Sequence, residues 1–279
     1  QSLVQDARRH GVQVLGPDVN ASASAACLQA PATPTDSYRG PGPAQPAVRL
    51  GLSGVRTISA ETGARIVAER LAGGEFASMA ELAHRVGLST EQLEALATAG
   101  AFEATGIGRR SALWVAGAAA LSRPGQLELP VPSEQQIPRL PELTEPEQLI
   151  ADLWATGITR DSYPTALIRP RLNSLDVVPS NRLRTLANRT RVTVAGVVTH
   201  RQRPATARGV TFINLEDEFG MINVICDPVV WQRHRIVARQ AGGLLIRGML
   251  ERADGVVNVA AERIDRLELG IRTKSRDFR

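Results

Sequence analysis

Three arginines within eight residues, Arg201, Arg203 and Arg208, are the side chains of this 279-residue chain whose type and spacing point most directly to chemistry. They fall in "HRQRPATAR" (200–208), between two apolar runs that alternate like strands. A guanidinium stays charged at every working pH and presents a planar fork of donors that matches phosphate oxygens. Three of them on one loop suit a polyanion backbone rather than a reaction. The acidic run Glu216-Asp217-Glu218 invites a metal or acid–base reading, but it stands at a hairpin turn where successive side chains diverge, so a solvated turn is expected. His10, His84, His200 and His234 are scattered and form no triad. Cys27 and Cys226 lie far apart without CxxC spacing, which argues against a zinc site and a disulfide framework. No catalytic and no metal-binding residue is expected in this chain.

A second candidate lies in "LGLSGVRTISAETGARIVAERL" (50–71), which has the layout of a helix-hairpin-helix. Such a hairpin aims backbone N–H groups and a helix start at a DNA phosphate. The usual "GIG" is here Thr57-Ile58-Ser59, so hydroxyl residues fill both glycine places. Arg56 and the backbone at Thr57–Ser59 are the candidate duplex contacts. The competing reading is a packing hairpin whose Ile58, Ile66 and Val67 join a helical core while Ser59 caps the helix.

The elements that position these residues follow from periodicity. Ser78 with Glu81 and Ser89 with Gln92 stand at capping-box spacing before apolar residues that recur at helical intervals, so 48–121 reads as a helical domain of short helices. Residues 1–47 read as the end of a preceding region plus irregular connection. Pro124, Pro130, Pro132, Pro138 and Pro141 mark 122–189 as a Pro-rich linker, with one packing helix near 145–156 between domains. From 190 the period changes to two, and three strands, a helix and two further strands give the order of a five-stranded OB-fold barrel over 190–268, before a basic tail at 269–279. Gly196 marks the place where the first strand must curl, and a bulge is expected near Ala260-Ala261. In this fold single strands cross strands 2 and 3 beside the loop joining strands 1 and 2, which is the arginine loop. Phe212 and Phe219 are the ring candidates there, and two rings predict weak, salt-sensitive binding. The fold class is α+β and multidomain.

Composition agrees. Residues 189–279 hold 16 Lys and Arg against 10 Asp and Glu, while the preceding part is near neutral. A basic domain beside a neutral one is the footprint of a polyanion binder. No apolar run reaches the roughly 20 residues of a membrane span. A reducing, cytoplasmic setting without membrane attachment is expected, and the opening Gln1 suggests a piece of a longer protein.

The stretches "SLVQDARRHGVQVLGPDVNAS" (2–22), 50–70, "FASMAELAHRVGLSTEQLEALATAGAF" (76–102), 196–226 and "SRDFR" (275–279) together resemble the C-terminal part of a bacterial C-family DNA polymerase, in particular the error-prone, damage-inducible translesion paralogue of the replicative polymerase III alpha subunit. The resemblance implies a helix-hairpin-helix region that meets primer–template duplex and an OB domain near the single-stranded template. It places the catalytic aspartates and their magnesium ions in a palm domain outside this chain, which alone should be inactive and needs no cofactor. It also implies a Y-family-like adaptor and a recombinase-like accessory protein as partners, with the sliding clamp reached indirectly; "GQLELPVP" (125–132) is a poor clamp peptide. Two departures stand out: the hairpin glycines are missing, and Tyr163 occupies a place where related sequences carry His. The rival reading is a protein-interaction module that docks the adaptor and touches little DNA.

Overall fold

The computed structural model describes residues 2–30, 46–121, 138, 140–160, 162–253, 255–270 and 276–278, and it divides into two compact units, 1–161 and 162–279. The clamp-like stretch 125–132 and most of the tail lie outside the described residues. Each unit has its own core.

The first unit opens with α1 (Ser2–Arg9) and a small sheet of β1 (Val14–Leu15), β2 (Cys27–Gln29) and β3 (Ala47–Arg49), in which β3 is central. Four helices follow: α2 (Ala60–Gly73), α3 (Met79–Val86), α4 (Thr90–Thr98) and α5 (Arg109–Ala119). Their starts are set by the residues the spacing singles out. Ser59 Oγ accepts from Thr62 N at 3.0 Å, Ser78 Oγ from Glu81 N at 3.1 Å, and Ser89 with Gln92 completes a reciprocal box. Each satisfies donors that a helix leaves unpaired at its first turn. Ile58, Ile66, Met79, Leu82, Leu93, Leu96 and Phe102 meet in one buried cluster, so the expected helical core is present. The helix α6 (Glu145–Ala155) belongs to this core as well, through Ala155. Its Asp152 is buried and faces Arg109 Nη1 at 2.8 Å. Burial alone would lower the Arg109 pKa, but Asp152 and Glu103 beside it raise it. The segment expected as a linker is therefore divided. Its described residues up to 160 pack in the first unit, and 162–189 in the second.

The second unit begins with α7 (Pro164–Leu167), α8 (Arg169–Ser174) and α9 (Ser180–Leu183). The barrel follows: β4 (Arg191–Gln202), β5 (Thr211–Glu216), β6 (Met221–Cys226), the helix pair α10 (Pro228–Arg233) and α11 (Arg235–Gln240), then β7 (Gly243–Ala253) and β8 (Val256–Arg266). Strands neighbour in the order β5-β6-β8-β7-β4, and a β4–β5 pairing closes the ring, with β6 and β8 parallel. That is the OB arrangement. Alternation sends Val192, Val194, Ile213, Leu215, Ile222, Val224, Leu244, Ile246 and Val259 inward, and closure leaves few free strand edges. Within the tail, β9 (Arg276–Phe278) pairs parallel to His200–Gln202. At Gly196 a Cβ would come 2.8 Å from the Glu216 carbonyl oxygen, so β4 can cross β5 closely only without a side chain there. The bulge falls slightly beyond the expected place: the β7–β8 register shifts between Arg247 and Gly248, which face Arg263 and Ala261.

The acidic turn corrects the sequence reading. Glu216 and Asp217 are 0 % and 1 % exposed, and Glu218 is largely covered. A buried carboxylate requires donors, and residues 163–180 supply them. Tyr163 Oη donates to Glu216 at 3.2 Å; Ser180 donates through N and Oγ to Asp217 at 2.7 and 2.5 Å; Thr165 Oγ1 donates to Glu218 at 2.5 Å. Arg169 grips both Glu218 oxygens at 2.5 and 2.7 Å. Tyr163, Leu172, Val177, Ala195 and Val197 then form a small second core on the outer side of β4. Tyr163 thus has a structural role as donor to a buried acid.

Burial pushes the Glu218 carboxyl up, but the bonds from Arg169 and Thr165 outweigh it and hold the pKa below its ordinary 4.5. A group depressed in the folded state stabilises fully above its unfolded value and loses that contribution as pH falls through the folded one. The second unit should accordingly lose stability below about pH 4.5, and Arg169→Met should flatten this acid dependence in denaturant titrations while costing about 2 kcal/mol at pH 7. Gly196→Ala should cost about 1–3 kcal/mol in the same assay, because the new methyl meets backbone that cannot retreat.

Candidate nucleic-acid interface

β4 runs further than the apolar alternation suggests, to Gln202, and this decides the fate of the three arginines. A register shift between Val198 and His200 moves the inward phase on by one residue. Arg201 pairs with Ile213 and shares its inward side. Its side chain is 5 % exposed, with Nε donating to the Ala238 carbonyl at 2.7 Å and Nη2 to that of Ala241 at 2.5 Å. These carbonyls belong to the end of α11, where backbone oxygens lack helical partners. Arg201 is a cap for α11 and not a phosphate contact, contrary to the sequence reading.

Arg203 and Arg208 do stand where the spacing places them. Both are exposed, and neither has an acidic partner among the described residues. Arg208 lies in the left-handed region at φ 48°, which turns the chain back into β5. Gly209 sits against Pro228, so the loop is seated on the start of α10.

The outward side of strands β5 and β6 adjoins this loop. Phe212 is 37 % exposed on the side of the strand opposite the core, with Asn214, Met221, Asn223 and Ile225 beside it. Register places Asn214 opposite Asn223 and Asn223 opposite Asn258, so three amides line one row across three strands. Such a face has ring and thioether surface for bases, donors and acceptors for base edges, and no charge of its own. The sequence reading saw Phe212 but missed the amide row, which only the pairing register assembles. Phe219 is exposed in the turn between β5 and β6 beneath the Arg169 guanidinium, 5.7 Å from its centroid, and so does not extend this face.

In the first unit the hairpin before α2 is built as expected and lacks glycine as expected. Thr57 holds φ 66°, a region in which a branched side chain is strained. The Arg56 N–H is engaged by the Ala155 carbonyl at 2.7 Å and the Ile58 N–H by Val55 at 3.1 Å, while Ser59 Oγ caps Thr62. What remains for a ligand is the exposed Thr57 and the Arg56 guanidinium, which lies over the Trp154 ring at 4.9 Å. A literal Gly106-Ile107-Gly108 precedes α5, and the sequence reading passed over it. Glu103 and Glu142 line the cleft at Gly108 together with Arg109 and Arg160, so carboxylates stand where a phosphate would have to approach. Among the described residues, only the hairpin at Arg56 offers an unopposed cation.

Among the described residues no group of His, Cys, Asp and Glu could hold a metal ion, and no helix is long and apolar enough to cross a membrane. Cys226 is buried beside Asp227, and burial foremost pushes its thiol up to about 11, which leaves it unreactive.

The family model described as a helix-hairpin-helix motif matches residues 11–112, which include both hairpins. Proteins named error-prone DNA polymerase are similar over the entire chain. That of Mycobacterium tuberculosis is 52% identical over 279 residues, that of Nocardia farcinica 50% over 287 and that of Corynebacterium glutamicum 43% over 281. In each case 100% of this chain is covered and 24% or 25% of the relative, so the chain spans about a quarter of the length of the curated relatives it matches. Among solved structures, asparaginyl-tRNA synthetase from Pyrococcus horikoshii is similar over 32% of this chain and 22% of its own, with 16% identity and a TM-score of 0.28, too slight a likeness to bear on function.

Two arginines separated by one residue should behave oppositely. Arg201→Ala should destabilise the second unit by about 2–4 kcal/mol, since it leaves buried carbonyls unpaired and a void behind. Arg203→Ala and Arg208→Ala should each stay within about 0.5 kcal/mol in the same urea titration.

Proposed function

Because the chain belongs to the error-prone DNA polymerase family, matching its C-terminal region, we propose that it holds the DNA on which such a polymerase works. The outward face of β5 and β6 takes the single-stranded template. Phe212 stacks a base, the Asn214–Asn223–Asn258 row bonds to base edges and sugars, and Arg203 and Arg208 pair with phosphates. Arg56, held flat on Trp154, contacts a phosphate of the primer–template duplex beside Thr57. The observation that carries this reading is the neutral amide-and-ring face bordered by two exposed arginines that have no acidic partner among the described residues.

Phosphate pairing is indifferent to sequence, which suits a protein that must hold damaged templates as readily as intact ones. Nucleotidyl transfer in the whole protein, on a palm domain with magnesium ions, belongs to the same proposal and draws on no residue of this chain. Docking of a Y-family-like adaptor and a recombinase-like accessory protein, with the clamp reached through the adaptor, is its other half. On the first unit, Trp114 and Leu121 of the α5 region are exposed and offer such a partner apolar surface.

Fluorescence anisotropy with single-stranded oligonucleotides across a salt series tests this. The wild-type chain should bind with an affinity that falls steeply with salt, Phe212→Ala should weaken binding by about 1–3 kcal/mol, and the Arg203→Ala/Arg208→Ala double variant should make the salt slope shallower by about 1.4. If the wild-type chain binds no single-stranded DNA even at low salt, the reading fails and the face is a docking surface for protein.

A further inference from the structure

The arginines of the second unit do not stop at the loop. No Asp or Glu occurs from 228 to 250, and α10 and α11 carry Arg233, Arg235 and Arg239, all exposed and all without an acidic partner among the described residues. Helix electrostatics accounts for two of them. Arg233 and Arg239 lie in last turns, where the helix dipole favours a cation. Arg235 is the first residue of α11, where the dipole disfavours one. Ile236 and Val229 beside them are 72 % and 66 % exposed, although each is an aliphatic side chain that gains by leaving water.

The helix pair is also held firmly in place next to the loop. Gly209 lies against Pro228 at the start of α10, and the buried Arg201 ties β4 to the end of α11. Ala238 packs into the barrel core, which turns the opposite side of α11 to solvent. The loop cations and the helix cations thus share one end of the barrel.

We propose that the exposed side of α10–α11 is a second phosphate track, over which a single-stranded DNA continues after leaving the β5–β6 face past Arg203 and Arg208. Arg233, Arg235 and Arg239 pair with successive phosphates, and Ile236 and Val229 cover sugars or unstacked bases. The inference rests on the proposed function of that face for its direction, and extends the length of strand one barrel holds.

Oligonucleotide length separates the two. An oligo(dT) of about 8 nucleotides fills the face alone, whereas one of about 24 spans face and helices, given site sizes of about 4–16 nucleotides per OB barrel. With the full chain, Arg233→Gln/Arg235→Gln/Arg239→Gln should make the salt slope for the long oligonucleotide shallower by about 2 and leave the short one unchanged, since each lost phosphate contact removes about 0.7. The three side chains are exposed, so thermal unfolding of this variant should match wild type. Equal loss at both lengths, or no loss at either, overturns the track. If the short oligonucleotide fails to bind the wild-type chain while the long one binds and is lost in the variant, the face reading fails and the helix track stands on its own.

Discussion

A carboxylate taken out of water must be surrounded by donors, and the organisation of the second unit follows from meeting that demand three times in succession at Glu216, Asp217 and Glu218. The donors lie 37 to 53 residues earlier in the chain, at Tyr163, Thr165, Arg169 and Ser180. A segment that supplies them cannot be a free linker, since withdrawing any one leaves a charge or an acceptor stranded in a dry site. Its helices therefore lie along the outer side of β4, where Leu172 and Val177 close a small core with Ala195 and Val197. One side of β4 faces the barrel interior and the other this added layer. The strand that carries the arginine loop is thus packed on both faces.

That rigidity gives meaning to the contrast between Arg201 and its neighbours. A guanidinium inside the protein acts through the carbonyls it satisfies; one in solvent is available to whatever anion arrives. Arg201 secures α11, and the start of the adjoining α10 supports the loop on which Arg203 and Arg208 stand. The buried cation builds the surface on which the exposed ones stand. Charge counting cannot make this distinction, because desolvation and not formal charge decides which role a cation takes.

The first unit shows the same separation of roles among its hairpins. Caps at Ser59, Ser78 and Ser89 and a core through Ile66, Leu82 and Leu96 make a rigid helical body. The hairpin that spells the glycine pattern at 106–108 is fronted by Glu103 and Glu142, and the one that lacks it presents Arg56 on an aromatic platform. Backbone shape alone does not distinguish the two, because the charge beside each hairpin comes from residues outside its turn.

What the sequence determined by itself was everything that rests on short-range periodicity and on residue chemistry within a few positions. The capped helices, the five strands and their order, the curl at Gly196 and the exposed arginines at 203 and 208 are of this kind, since caps, alternation and turn chemistry act over one to five residues. The tertiary structure alone decided the burial of Arg201, the donors to the acidic turn, the place of α6 in the first unit and the amide row of Asn214, Asn223 and Asn258. Each of these depends on strand register or on contacts between residues tens of positions apart. A single bulge shifts every side chain beyond it to the other face, and nothing in the spacing of "VVTHRQR" announces on which residue the shift falls.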